Sequence, residues 1–272
     1  MPSIVSLIKG ERGLEPVFRA IDLIPFKEAL EPFDTVLVKP NLITSDTYET
    51  GVTTDPIVVE AVITKVQELG KKAIVVETDG GMTSPDDAIH KTGMMEVIER
   101  LGSEYINMRK LDEKVELKVT NPRAIKKFKV AKLAVDSAII TVPSMKTLLN
   151  TKITMGLKNM FGILTTTNKF SLHRHGMNKV IHDVCKTLPP ILSVIDGFYA
   201  KSGAGPWSGK PVKMDTIIAS IDPIAADATG ARCIGINPQK IKHIRWLHES
   251  GMGEIDDIEI VGDKISDVYQ KW

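Results

Sequence analysis

The sequence predicts a doubly wound α/β fold with a mainly parallel sheet and a small strand-rich insertion. Three observations carry that expectation. Short apolar, β-branched runs recur at 35–39, 73–77, 137–142, 191–196 and 216–220. Polar or glycine-rich turns follow them. Asp55-Pro56, Ser84-Pro85, Asp222-Pro223 and Asn237-Pro238 each set a capping side chain before a proline, the start signal of a helix. Strand, turn, X-Pro and helix in repetition point to a parallel sheet wrapped by helices.

Thr35-Val36-Leu37-Val38-Lys39, stopped by Pro40, reads as a strand buried on both faces. A loop with Asn41, Thr44, Ser45, Asp46 and Gly51 leads to the Asp55-Pro56 helix, whose Val58, Val62, Val66 and Leu69 keep helical spacing until Gly70. Ala73 to Glu77 then completes a βαβ unit, and hence a parallel pair. Thr78-Asp79-Gly80-Gly81 turns the chain into a helix with Ser84 as cap, Asp87 at the capping-box position, and Ile89, Met94, Val97, Ile98 and Leu101 as its apolar set. The insertion is expected at 115–130, around Asn121-Pro122, and a third buried strand at 137–142, ended by Pro143.

Residues 153–164 read as one helix. Ile153, Leu157, Met160, Phe161 and Leu164 share one face, Lys152, Met155, Asn159 and Gly162 the other, with Lys158 on the flank. A further helix runs from Met177 to Leu188, and the remaining strands and X-Pro helices complete the pattern. Residues 1–272 are expected to form a single α/β domain; the alternative is two lobes, 1–142 and 143–272, with the site between them.

A chain of 272 residues with 43% hydrophobic content has ample material for a core, which excludes disorder, collagen and a disulfide scaffold. Cys185 and Cys233 have no C-x-x-C spacing, so no iron-sulfur cluster within the chain is expected. The same cysteine usage and an N-terminus without a charged leader suit a reducing cytoplasm. No apolar run reaches the roughly 18 residues of a membrane span. A net charge of +1 argues against a generic nucleic-acid binder, and a homo-oligomer is left open.

That near-neutrality is a cancellation. The 46 residues from Ser137 to His182 contain no Asp or Glu and carry +6, from Lys146, Lys152, Lys158, Lys169, Arg174 and Lys179; the other 226 residues carry −5. The segment is either a solvated basic face or an anion site. Its interleaved Ile139, Ile140, Val142, Ile153, Leu157, Phe161 and Leu164 require it to fold, which fixes its cations in space.

In open parallel sheets ligands bind beyond the carboxyl ends of the strands. The residues to interrogate are therefore Lys39 and Asn41, Asp79 to Gly81, Ser144 and Lys146, Asp196 and Gly197, and Ser220 and Asp222. Lys39, at the end of a buried strand, needs a carboxylate or an anionic ligand, and Lys146 stands in the same relation to the third strand. Gly156 and Gly162 in a helical pattern imply either close approach by a neighbour or an eased helix crossing. If 173–175 is extended, His173 and His175 face one way, as a metal pair, an acid/base pair or ordinary loop histidines. Gly203 to Lys210 fits neither the Walker nor the dinucleotide fingerprint, yet its amides, including those of Gly205 and Gly209, could cradle an anion, with Trp207 covering a substrate or pinning the loop. Asp227 shares a helix face with Ile224, Ala228, Ala231 and Ile234, so it should be buried, either neutral or paired with Lys39, Lys146 or Lys158.

Val38-Lys39-Pro40-Asn41-Leu42, Thr54-x-Pro56, Pro143-Ser144-Met145-Lys146-Thr147, Leu157-Lys158-Asn159-Met160-Phe161-Gly162, His173, Asp196-Gly197, Gly205-Pro206-x-x-Gly209 and Ser220-x-Asp222-x-x-x-x-Asp227 together resemble the family catalogued as domain of unknown function 362. The resemblance spans about residues 36 to 230 and implies a fold and a residue set without a reaction. Many relatives carry ferredoxin-type cysteine motifs that this chain lacks. The family's Lys-Thr-His pattern here reads Lys146-Thr147-Leu148.

The leading expectation is an enzyme acting on a small anionic metabolite, carboxylate or phosphate. Lys39, Lys146 and Lys158 would neutralise it, and Asn41 and Asn159 would orient it. His173, Asp227 and Lys158 would supply the chemistry, with His175, Asp196, Gly205, Gly209, Ser220 and Asp222 around the substrate. The alternatives are a non-catalytic module that binds an anion, RNA or protein, and a redox component with an external iron-sulfur partner. Cofactors are unassigned, and a divalent metal is the weaker option.

Overall fold

Successive residues of the apolar runs enter two separate cores, as a sheet covered on both faces requires. Val36 and Val38 pack with Val17, Val58, Val62 and Ile98, whereas Leu37 packs with Ile181, Ile224 and Ala228 across the sheet. The computed structural model describes residues 1–79, 83–166, 169–205 and 208–272. Its strands are β1 (Ser3–Lys9), β2 (Thr35–Pro40), β3 (Lys72–Glu77), β4 (Glu104–Asn107), β5 (Lys114–Lys118), β6 (Lys127–Ala131), β7 (Ala138–Val142), β8 (Ser144–Leu148), β9 (Lys152–Thr154), β10 (Leu192–Ser202), β11 (Lys210–Ser220) and β12 (Ile258–Gly262).

The central sheet runs β12-β1-β11-β10-β7-β2-β3-β4, with β8 pairing to β10 and β9 beside the path. The β7-β2-β3-β4 half and the β10-β7 junction are parallel. The fold is thus mixed α/β with a large, mainly parallel sheet. The insertion is a separate antiparallel pair, β5-β6. Its turn is pinned by the Asp183 carboxylate, which accepts from the backbone N–H groups of Arg123, Ala124 and Ile125.

Three expectations need correction. The runs at 191–196 and 216–220 are strands as expected, but they are only the inner parts of a longer antiparallel hairpin, β10-β11, so the first does not end at Asp196 and the second runs against its neighbour. Asp196 and Gly197 therefore lie inside β10. The helix expected from Ser84 breaks at Gly93 (φ 75°) into Pro85–Lys91 and Met94–Arg100, and the Ser84 hydroxyl makes no capping bond.

The helix expected at 153–164 is instead β9, a single turn at Gly156–Asn159 and a 3-10 turn at Met160–Ile163. Its amphipathic pattern misled because Ile153, Met155, Leu157, Met160, Ile163 and Leu164 are all buried, so no single face is solvated. The third strand ends at Val142 before Pro143, as expected, and a separate strand, β8, begins at Ser144.

Five strands, β1, β4, β8, β9 and β12, are not among those the sequence predicts. Residues 3–9 present only a short apolar start, yet they form β1, held between antiparallel β11 and parallel β12.

Candidate functional site

The carboxyl ends of β2 and β3 open into a cavity of about 260 Å³ that β8, β10 and residues 158–162 and 169–173 close. Five lysines line it, Lys39, Lys146, Lys158, Lys169 and Lys201, with His173 and a single carboxylate, Glu77. Leu42, Ile43, Leu148, Phe161 and Phe170 supply apolar wall. A larger hollow of about 330 Å³, bounded by Ala29, Leu157, Cys185, Pro189 and Pro190 among others, has no charged side chain in its lining.

Lys39 is 1% exposed and pairs with Glu77 at 2.8 Å. Its ammonium also donates to Pro40 O at 3.1 Å and Asn159 Oδ1 at 3.3 Å. Of the two readings for this residue, the ion pair with a carboxylate is present, and the pair sits in the cavity wall. Gly162 is what lets the pair fit: a Cβ there would lie 2.5 Å from Lys39 Nζ and 2.8 Å from Glu77 Oε1. Close approach is also the reason for Gly156, whose Cβ would meet Ser193 Oγ at 2.5 Å.

Asn159 is the hub of the polar network. Its Nδ2 donates to Lys39 O and to Thr141 Oγ1, each at 2.9 Å, while its Oδ1 accepts from Lys39 and from Asn41 Nδ2. Asn41 is fixed in turn by its N–H to Thr54 Oγ1 at 2.8 Å, and its Oδ1 accepts from Lys146. Lys146 also donates to Val52 O at 2.5 Å and, among the described residues, forms no ion pair, although the charge of Asp196 reaches it. Burial and the charges of Lys158 and Lys201 hold its ammonium well below the usual lysine range.

Lys158 is half-buried on the Gly156–Asn159 turn. Among the described residues it has no hydrogen-bond or ion-pair partner, and burial with the Lys39 charge pushes it down to about 8. Lys169 donates to Thr78 Oγ1, which itself donates to Gly162 O. Burial pushes Lys169 down to about 8 as well. His173 ends the helix Lys169–His173 with its ring 5.6 Å from that of Phe161 and 6.1 Å from that of Phe170. Burial and the Lys158 charge lower its pKa, which favours the neutral imidazole.

The cavity therefore gathers Lys39, Asn41, Lys146, Lys158, Asn159, His173 and Gly205 from the expected set. Others stand apart. The 173–175 segment is a helix end and turn, not an extended strand, and His175 is exposed outside the cavity. Asp227 is buried but meets none of the lysines; it accepts from Gly156 N at 2.8 Å and Leu157 N at 3.1 Å, and so caps the turn that carries Lys158. Burial pushes this carboxyl up to about 7.

Asp196 is buried within β10, accepting from Asp55 N at 2.8 Å and Phe198 N at 3.1 Å, while Asp55 binds Arg12. Ser220 and Asp222 lie at the opposite edge of the sheet because β11 runs antiparallel. Ser220 Oγ donates to Ile4 O, and Asp222 caps the helix Pro223–Cys233 and accepts from Ser3 Oγ. Gly209 sits against Ser202 and Gly203 in the β10-β11 turn, outside the cavity lining. The expectations for Gly80, Gly81, Pro206 and Trp207 fall outside the described residues.

Sequence reasoning missed Glu77, Thr78, Lys169 and Lys201 as site residues. Glu77 carried the same signal as Lys39, a charge ending a buried strand, and Lys169 lay in the acid-free segment. Lys201 gave no signal, since the outer half of β10 is shaped by its hairpin. Leu148, where the family pattern has histidine, is part of the cavity wall. Among the described residues no group of three or more His, Cys, Asp or Glu side chains is placed to hold a metal ion, and no helix is long and apolar enough to cross a membrane.

The chain is similar to a curated protein of Synechocystis sp., the thylakoid-associated protein sll1697, with 27% identity over 219 residues. That match covers 78% of this chain and 66% of the relative, just under two thirds of the relative's length. Residues 36–232 match the family model described as Domain of unknown function (DUF362), a span that includes β2 through β11 and every lysine of the cavity, and the chain belongs to that family.

Proposed function

We propose that the protein is an enzyme that binds a small anionic metabolite, carboxylate or phosphate, in the lysine cavity, with Lys158 and His173 as its proton-transfer groups. The reading is carried by the charge imbalance of the lining: five lysines surround the space, and its one carboxylate is already engaged by Lys39. Unit charges about 4 Å apart interact by about 4 kcal/mol at an effective dielectric of about 20. Clustered cations therefore repel one another until an anion enters among them. Asn41 and Asn159 hold Lys146 and Lys39 in place from behind, so the cradle is set before the ligand arrives.

His173, favoured as the neutral imidazole, accepts a proton, and Lys158, close to the working pH range, gives or takes one. The apolar wall from Leu42 to Phe170 suits an organic body attached to the anionic group. Asp227 has no part in the chemistry in this reading, and acts by holding the turn beneath Lys158.

The test is calorimetric titration with inorganic phosphate and with small mono-, di- and tricarboxylic acids, followed by incubation with a mixture of acid metabolites read by mass spectrometry. Wild-type protein is expected to bind at least one anion saturably and to deplete at least one acid. Lys158→Met is expected to lose about tenfold or more in affinity, the effect of removing one charge-assisted contact of about 1.5–3 kcal/mol. His173→Ala should bind but deplete nothing. Equal affinity in Lys158→Met and in wild type would overturn the assignment.

A further inference from the structure

The five lysines of the cavity differ in what holds them. Lys39 is paired with Glu77, Lys169 donates to Thr78, and Lys146 is held by Asn41 Oδ1 and Val52 O. Among the described residues, the amines of Lys158 and Lys201 alone in this lining have no hydrogen-bond or ion-pair partner. Lys158 differs from Lys201 in its surroundings: it rides on a turn clamped at its start by Asp227 and at its end by Asn159, and its charge is felt by His173. An amine crowded by other cations, in a partly apolar pocket and without a carboxylate, is the arrangement that activates a lysine as a nucleophile.

We propose that Lys158 is an imine-forming lysine, and that the anion taken by this cavity bears a carbonyl group, as a 2-oxo acid or a phosphorylated aldehyde or ketone does. The inference rests on the anion-binding reading and sharpens its substrate class. A simple anion meets Lys158 in its ammonium form; with a carbonyl-bearing anion, Lys39, Lys146 and Lys169 would hold the carboxylate or phosphate while Lys158, deprotonated, meets the carbonyl carbon.

The Lys158 ammonium first gives one proton to water; the neutral amine then forms the N–C bond as the carbonyl π pair moves to oxygen, which takes a proton back from water to give a carbinolamine. The neutral His173 imidazole accepts the proton that the nitrogen gives up and returns it to the departing hydroxyl. The products are a protonated imine, one water molecule and the neutral imidazole, so the Lys158 ammonium and the carbonyl are converted with no net gain or loss of protons. No oxidant, reductant or second substrate is required. The positive charge of the protonated imine replaces that of the ammonium, so the anion's carboxylate or phosphate remains balanced throughout.

The test uses reductive trapping on the whole chain. Protein is incubated with pyruvate, 2-oxoglutarate or pyridoxal 5′-phosphate and sodium cyanoborohydride, and the adduct is located by intact mass and peptide mapping. The expected result is one adduct per chain, on Lys158, with at least one probe. Excess succinate or inorganic phosphate, which lack a carbonyl, should suppress it. Yield should rise as pH passes through about 8, as the amine loses its proton. Lys158→Arg should give no adduct; if that variant fails to fold, the map of the wild-type adduct still decides.

An adduct on Lys146 or Lys201, or one spread over the exposed lysines as in unfolded protein, would overturn the proposal. Absence of any adduct while phosphate or succinate binds by calorimetry would remove the imine step and leave the anion reading standing. Failure of every anion to bind would remove both.

Discussion

Lys39 and Glu77 are each almost fully out of water, and each is tolerable there because the other is present. Removing one partner of a buried pair leaves an uncompensated charge, at a cost of about 3–5 kcal/mol. Glu77→Ala is expected to lower stability by that amount in urea denaturation, far more than loss of an exposed pair such as Lys72 with Glu104. The lysines opposite behave in the reverse sense. Lys158 and Lys169 titrate near 8 in the folded protein, against an ordinary 10.5.

Between those values the unfolded chain binds more protons than the folded one, so stability contributed by these groups rises with pH from about 8 to 10.5. Anion affinity should fall over the same window, because the bound anion needs the ammonium form. Opposite slopes of melting temperature and of affinity above pH 8, measured on the same sample, are the expected signature. Parallel slopes would show that these lysines do not meet the ligand.

At the scale of an element, the turn Gly156–Asn159 is too short to hold itself, since one helical turn fixes several dihedrals for few bonds. Asp227 supplies what the turn lacks, by accepting from its first two N–H groups, and Asn159 ties its end to Lys39 O and Thr141. Asp227→Ala should cost about 1–3 kcal/mol for the buried donors left unpaired, read as a shift in chemical denaturation. Anion affinity should fall with it, although Asp227 lies outside the cavity. Asp227→Asn keeps an acceptor oxygen and is expected to lose less of both.

The β5-β6 hairpin offers a separate case. Asp183 accepts three successive backbone N–H groups at its turn. Asp183→Ala should speed amide exchange across 114–131 while protection of β2, β3 and β7 is unchanged.

Across the whole molecule, strands distant in sequence alternate in the sheet: β1 lies between β12 and β11, and β7 joins β2 to β10. Neither half of the chain can leave without stripping a neighbour's ladder. Calorimetry is expected to show a single unfolding transition for 1–272; two resolved transitions would favour separate lobes, 1–142 and 143–272. The sheet also explains which site residues were legible.

Lys39, Asn41 and Lys146 could be read as site candidates because they follow or end buried β-branched runs, and ligands gather at such ends. Ser220 and Asp222 satisfied the same local rule and were misplaced. Nothing in 216–220 records that β11 runs against β10, and that direction sends both residues to the far edge. Asp227 was rightly expected to be buried, but its partners, two backbone amides, have no side-chain signature.

The sequence by itself determined the α/β class, the parallel β2-β3 unit, the strand-rich insertion and the acid-free basic segment, because apolar period, proline caps and charge are properties of neighbouring residues. Only the tertiary structure decided which cations converge. Lys146, Lys158 and Lys169 of that segment face the cavity with Lys39 and Lys201 from elsewhere, while Lys152, Arg174 and Lys179 face water. The physical reason is that strand direction and side-chain pairing are settled by contacts between residues far apart in the chain, such as Lys39 with Asn159, 120 positions away. A pattern confined to one segment carries no record of them.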